Sequence, residues 1–126
     1  MEPHITIETP PGHPKSQLRL MQANEWIRRQ TVKDRYFDPA IFAGPAWALF
    51  LDLYAARIAM RDMSVAAACA SAKVPTVTAL RWIDALIEAG FLHRRDGNVD
   101  MRRAVLGLTD TALETMDRML DDIETG

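Results

Sequence analysis

The sequence predicts a mainly α-helical chain with one small β-hairpin, and two stretches carry that prediction. Ser64 to Gly90 reads as helix, tight turn and helix: an alanine-rich run to Ala72, then Lys73-Val74-Pro75, then Thr76 onward to Gly90. Phe91 to Leu108 reads as strand, turn and strand, with Arg94 and Arg95 before Asp96-Gly97-Asn98 and with Arg102 and Arg103 after it. In this order the elements make a winged helix-turn-helix, a scaffold that puts one helix into a DNA major groove. Helical segments at the N- and C-terminal flanks are expected to serve dimerisation.

Length and composition bound the rest. The 126 residues are 48% hydrophobic, enough for one core. Residues 1–15 hold Pro3, Pro10, Pro11, Gly12 and Pro14 with little apolar content and read as a disordered tail. Residues 16–126 then form a single winged-helix domain. Asp52, Arg57 and Arg61 interrupt the most apolar stretch, so no membrane span is expected. No basic start precedes an apolar run, and Cys69 has no second cysteine to pair with. Both point to a reducing cytoplasm.

The formal charge of −2 is unevenly placed. Residues 109–126 carry six carboxylates against Arg118, a net −5, which leaves +3 for residues 1–108. An acidic last helix can lie away from DNA while a basic wing touches it.

The elements follow in order. Lys15 to about Tyr36 lacks Gly and Pro and is apolar on two sides: Leu20, Ala23 and Ile27 on one, Leu18, Met21 and Val32 on the other. Such a helix calls for two partners, its own domain and a second subunit. Asp38-Pro39 starts a new element, and Gly44-Pro45 opens the next. From Ala46 to Arg61 nearly every position is apolar, as expected of the central core helix. Ser64 is a suitable N-cap, with Val65, Ala68, Cys69 and Ala72 on the inner face of the first short helix. Pro75 opens the second helix and Gly90 closes it. Thr109 caps a last helix reaching about residue 124, with a stripe of Leu113, Met116, Leu120 and Ile123 and with Asp110 in its first turn.

In the second helix, Trp82, Ile83 and Leu86 gather around Ala79 as the buried stripe. Val77, Arg81, Asp84 and Glu88 lie opposite. The N-terminal half of such a helix reaches bases, which nominates Thr76, Val77, Thr78 and Arg81, with Lys73 in the preceding turn. Arginine forks onto guanine or holds a phosphate. The bland alternative is a solvated Arg81–Asp84 pair within the helix.

At the wing, Arg94, Arg95, Asn98, Arg102 and Arg103 are the candidate DNA contacts, and Asp100 is placed to orient Arg102. The bland alternative is a hairpin kept charged against edge pairing.

The run Gly90-Phe-Leu-His-Arg94-Arg-Asp-Gly-Asn-Val-Asp100-Met-Arg102, followed by Leu108-Thr109, resembles the wing signature of MarR-family transcriptional regulators. Pro75 to Arg81 is similar to the family's recognition-helix start, and the resemblance spans about residues 44–124. It implies a homodimeric regulator that binds double-stranded DNA and a possible small-molecule effector or thiol response. Two departures stand out: Ala112 replaces a usual glycine, and one helix follows the wing where many members have a longer segment.

His4, His13 and His93 lack metal-ligand spacing, and no phosphate-cradling loop, nucleophile elbow or catalytic carboxylate pair is present. No enzyme activity, cofactor or metal is therefore expected, and Cys69 reads as a small buried residue. The competing function is a winged helix used as a protein–protein interaction module without DNA binding.

Overall fold

The computed structural model describes residues 12–95 and 103–126. Six helices and three short strands follow one another: α1 Pro14–Tyr36, α2 Pro39–Phe42, α3 Pro45–Ile58, β1 Met63–Ser64, α4 Val65–Ser71, α5 Thr76–Glu88, β2 Leu92–Arg95, β3 Val105–Leu108 and α6 Asp110–Thr125. A mainly helical chain with a small antiparallel sheet is thus what the sequence encodes.

Helix α1 begins inside the stretch assigned to the tail. His13 caps it by accepting from the Lys15 N–H at 3.1 Å, and Pro14 occupies a first-turn position where its missing N–H costs nothing. The helix is 23 residues, or about 35 Å long. Only Val32 and Lys33, near its C-terminal end, are buried. Leu18, Leu20, Met21, Trp26 and Ile27 are all exposed, Trp26 to 73%. The last turns dock on α6. Arg28 Nη2 donates to the Ile123 carbonyl at 2.6 Å, and Tyr36 donates to Asp122 at 2.9 Å. That bond to a carboxylate favours the neutral phenol and raises the Tyr36 pKa. Hydrogen bonds from Arg28 and then Arg29 hold the Glu25 carboxyl at about 2.

Asp38 caps α2 through the Ala40 N–H, and an aromatic cluster forms around the end of α1. Phe37, Phe42 and Phe50 are fully enclosed. Phe42 meets Phe37 and Phe91 edge-on, each at 4.9 Å between centroids. Lys33 is the buried charge among the described residues. Its ammonium donates to the Phe42 carbonyl at 3.0 Å, pairs with Asp34 at 3.4 Å and lies 5.1 Å from the Trp47 ring centroid.

Helix α3 is a core helix, as the sequence predicts, and it is enclosed along one side. Ala46, Leu49, Phe50, Leu53 and Ala56 are buried, but Leu51, Ile58 and Met60 face outward. Among the described residues, the other elements cover one side of α3.

The sheet has the order β1-β3-β2, antiparallel throughout, with Met63 opposite Leu106 and Leu92 opposite Leu108. The sequence predicted two strands. Strand β1 has two residues, too few to show a period, and exists because Ser64 pairs with Val105 while the Val65 N–H donates to the Ala104 carbonyl. Gly107 is required by close approach, since a Cβ there would lie 2.5 Å from His93 Cε1.

In α6, Ala112, Met116 and Met119 are buried, and Leu113 and Ile123 pack on the core. Most of the stripe assigned to a partner therefore serves the chain's own interior.

The buried stripe of α5 is Ala79, Ile83 and Leu86, with Leu80 and Ile87 packed beside it. Trp82 is only half-buried, a correction to its assignment as an anchor. Leu80 lines a cleft against α4 with Cys69 and Val74, and this contact turns the buried sector away from Trp82. Leu86→Ala should cost about 2–5 kcal/mol, and Trp82→Ala no more than about 1 kcal/mol, by denaturant midpoint. Equal losses would show that the phase of α5 is wrong.

Candidate nucleic-acid interface

The two helices of the motif are set by local chemistry. Ser64 Oγ accepts from the Ala67 N–H at 3.0 Å and starts α4. Val65, Ala68 and Cys69 are buried on the inner face, where small side chains let α5 cross closely. The turn needs one residue in the left-handed region, and Lys73 supplies it with φ 56°. Pro75 sits at the cap of α5, one position before the first-turn site expected for it. Its carbonyl accepts from Thr78 and Ala79 at 2.9 and 3.1 Å.

Helix α5 ends in a Schellman arrangement. The Gly90 N–H reaches Ile87 O and the Phe91 N–H reaches Leu86 O, at 3.0 and 2.9 Å. Gly90 has φ 85°, which a side chain rarely tolerates. Thr109 then ties this corner to α6, donating to the Gly90 carbonyl at 2.7 Å while accepting from the Ala112 N–H at 3.2 Å.

The predicted contact residues fall into three groups. Lys73, Thr76, Val77 and Arg81 are exposed at the N-terminal half of α5 and its lead-in, and Thr78 is half-buried beside them. Val77 is 68% exposed, unusual for a valine in a helix. Arg81 does not pair with Asp84. That carboxylate instead binds Arg94 at 3.3 Å, so the bland alternative for Arg81 does not hold. Arg94, Arg95 and Arg103 lie at the base of the wing. Asn98, Asp100 and Arg102 lie outside the described residues.

Arg94 and Arg95 are adjacent in β2 and so face opposite sides of the sheet. Arg94 shares the side of buried Leu92 and reaches α5. Arg95 shares the side of His93 and pairs with Asp62, just before β1, at 3.2 Å. The sequence treated the wing arginines as one cluster, and the pleat divides them.

At one end of the sheet, Arg95 and His93 join Arg57, Arg61, Asp62 and Asp110 around an open cleft of about 490 Å³ that Leu53, Leu106 and Leu108 also line. Arg57 and Arg61 were missed as site residues. Their approach to Arg95 depends on β1, which left no sequence signal.

Cys69 is buried, 8% exposed, against α5. Among the described residues no group of three His, Cys, Asp or Glu side chains is placed to hold a metal, and His13 serves as a helix cap. No described helix is long and apolar enough to cross a membrane.

Two outcomes follow from this geometry. The native Cys69 thiol should react with thiol reagents far more slowly than the unfolded chain; equal rates would place it at the surface. Lys73→Gly relieves a left-handed side chain and should raise stability by about 1 kcal/mol in urea titration. A fall would mean that the lysine side chain holds the turn.

No protein-family model matches the chain, and no curated protein matches it. Solved structures do. RV1404 from Mycobacterium tuberculosis superposes with a TM-score of 0.71 at 13% identity, covering 97% of this chain and 80% of that one. A point mutant of S. aureus MepR bound to an oligodeoxyribonucleotide gives 0.68 at 13% identity, covering 88% and 76%. The heme sensor protein PefR from Streptococcus agalactiae, in complex with heme, gives 0.54 at 20% identity, covering 90% and 78%. MepR is a transcription regulator of a Staphylococcus aureus multidrug efflux pump. At these identities the likeness is one of fold, and the fold is the winged helix.

Proposed function

We propose that this chain is a MarR-like, homodimeric transcriptional regulator that binds double-stranded DNA sequence-specifically. Helix α5 enters the major groove and the wing lies on phosphate or in the minor groove. The observation that carries this reading is the outer face of α5. Thr76, Val77 and Arg81 stand exposed together, and the acidic residue nearest Arg81 along the helix is engaged by Arg94. An exposed guanidinium on the outward face of such a helix suits a guanine edge or a phosphate. The likeness to a neighbour solved with an oligodeoxyribonucleotide supports the same assignment.

Dimerisation comes from α1, whose exposed Leu18, Leu20, Met21, Trp26 and Ile27 have no cover in the monomer. We assign the cleft at that end of the sheet to a small-molecule effector. Its rim carries Arg57, Arg61 and Arg95 together with Asp62 and Asp110 beside apolar side chains, and Arg95 belongs both to it and to the wing. A neighbour of the same fold was solved with heme.

Selection from a random duplex pool, followed by titration at two salt concentrations, tests the assignment. Arg81→Ala should cost roughly 1–3 kcal/mol on the selected site and less on random DNA, so the specificity ratio falls. Lys73→Gly should weaken both duplexes alike and lower the salt slope by about 0.9 per phosphate lost. A wild type that enriches no sequence hands the fold to the protein-interaction reading.

A further inference from the structure

Val77 is the one large apolar side chain of α5 that stands in the open, 68% exposed. Ala79, Ile83 and Leu86 are buried, and Leu80 and Ile87 pack beside them. The valine serves neither the core nor the helix itself, because a branched side chain lowers helix propensity relative to alanine.

Its position gives it a use. At 100° per residue, Val77 and Arg81 each lie about 160° from Ala79, on either side of the line opposite it. Ala79 is fully buried, so the two side chains flank the most outward line of α5. They are about 40° apart around the axis and about 6 Å apart along it. Lys73 stands exposed in the turn before them. Beyond them the outward face is acidic: Asp84 is engaged by Arg94 at 3.3 Å, and Glu88 ends the helix. An apolar group and a cation therefore share the outward face of the N-terminal half, with no carboxylate between them.

We propose that Val77 reads the 5-methyl group of a thymine in the major groove, beside the guanine that Arg81 contacts. The proposal rests on the major-groove placement of α5 given above and adds a second base to the half-site. Of the groups that base edges present in the major groove, the thymine methyl is the apolar one. Valine has no side-chain donor or acceptor. Set against the N4 amino group of cytosine, or the O6 and N7 of guanine, it would strip water from a polar group and return no hydrogen bond. Set against thymine, methyl meets methyl and both leave water. The reach fixes the register. About 6 Å along α5 spans at most about two base steps of 3.4 Å, so thymine and guanine are neighbours or next neighbours. Thr76, exposed, and Thr78, half-buried, flank Val77 with hydroxyl groups suited to the phosphates that hold this register.

The test starts from the site that the wild type enriches from a random duplex pool. Each thymine of a half-site is replaced in turn by deoxyuridine, which removes the methyl and keeps every hydrogen-bonding group. At one thymine the wild type should lose about fourfold in affinity per half-site, the worth of one methyl-sized group returned to water. That thymine should lie within about two base pairs of the guanine whose preference Arg81→Ala relaxes. Val77→Ala, an exposed change to a better helix former, should keep the native circular dichroism. At the same replacement it should lose less than about twofold, because the partner of the methyl is gone. A half-site with no methyl-sensitive thymine overturns the contact. So does a sensitive thymine farther from that guanine, or an equal loss in the wild type and in Val77→Ala. In each of these cases the enriched site still upholds sequence-specific DNA binding. A wild type that enriches no sequence overturns that reading and this contact together.

Discussion

The edge-on contact between Phe42 and Phe91 holds the functional parts of this chain in one frame. Phe91 lies in the corner between α5, which ends at Glu88, and β2, which begins at Leu92. Phe42 closes α2 and touches Phe37 at the end of α1 and Phe50 in α3. One group of rings therefore fixes the exit of α1, the inner face of α3 and the C-terminal end of α5. Each such pair contributes about 0.5–1.5 kcal/mol beyond the area it buries. Lys33 completes the joint by donating to the Phe42 carbonyl at one end of α2 while resting near Trp47. A buried ammonium is tolerable there because a carbonyl, a carboxylate and an aromatic face share its charge. Thr109 fastens the far side of the same corner by its hydrogen bond to the Gly90 carbonyl.

With its C-terminal end fixed, α5 presents its N-terminal half outward. The Arg94–Asp84 pair is exposed on the aspartate side and contributes little stability, about 0–1 kcal/mol. Its consequence is electrostatic. It pairs the carboxylate nearest Arg81 along the helix and ties the wing base to α5. Lys73 follows the same logic of placement. A glycine would serve the left-handed turn at lower conformational cost, yet a cation occupies it at the entrance to α5.

Much of this was legible because caps and corners are local. Ser64, Gly90 and Thr109 each announce a boundary through a bond to a backbone group a few residues away, and each makes that bond. The outward placement of Arg81 was legible for the same reason, since the 100° step of a helix needs no tertiary information. What the sequence concealed depends on neighbours. Trp82 lies only two positions from Leu80, but α4 covers the Leu80 side and leaves Trp82 half-open. The apolar run of α3 looks the same whether one side or both are enclosed. Arg94 and Arg95 look like a cluster until the pleat sends one to α5 and the other to Asp62. The placement of Arg57 and Arg61 near Arg95 was hidden for the same reason, because it depends on the pairing of β1 with β3.

The distribution of apolar surface constrains the proposed homodimer. A dimer joined through α6 would rest on Leu120 and a helix of net −5, a poor basis for self-association. A dimer joined through α1 uses the exposed Leu18, Leu20, Met21, Trp26 and Ile27 and leaves the acidic helix in solvent. Helix α1 is about 35 Å long, comparable to the 34–36 Å that separates successive major grooves on one face of DNA. In such a dimer the spacing of the two α5 helices depends on the length and exit angle of α1, and the exit angle is fixed at Phe37 and Phe42, where the aromatic joint holds both.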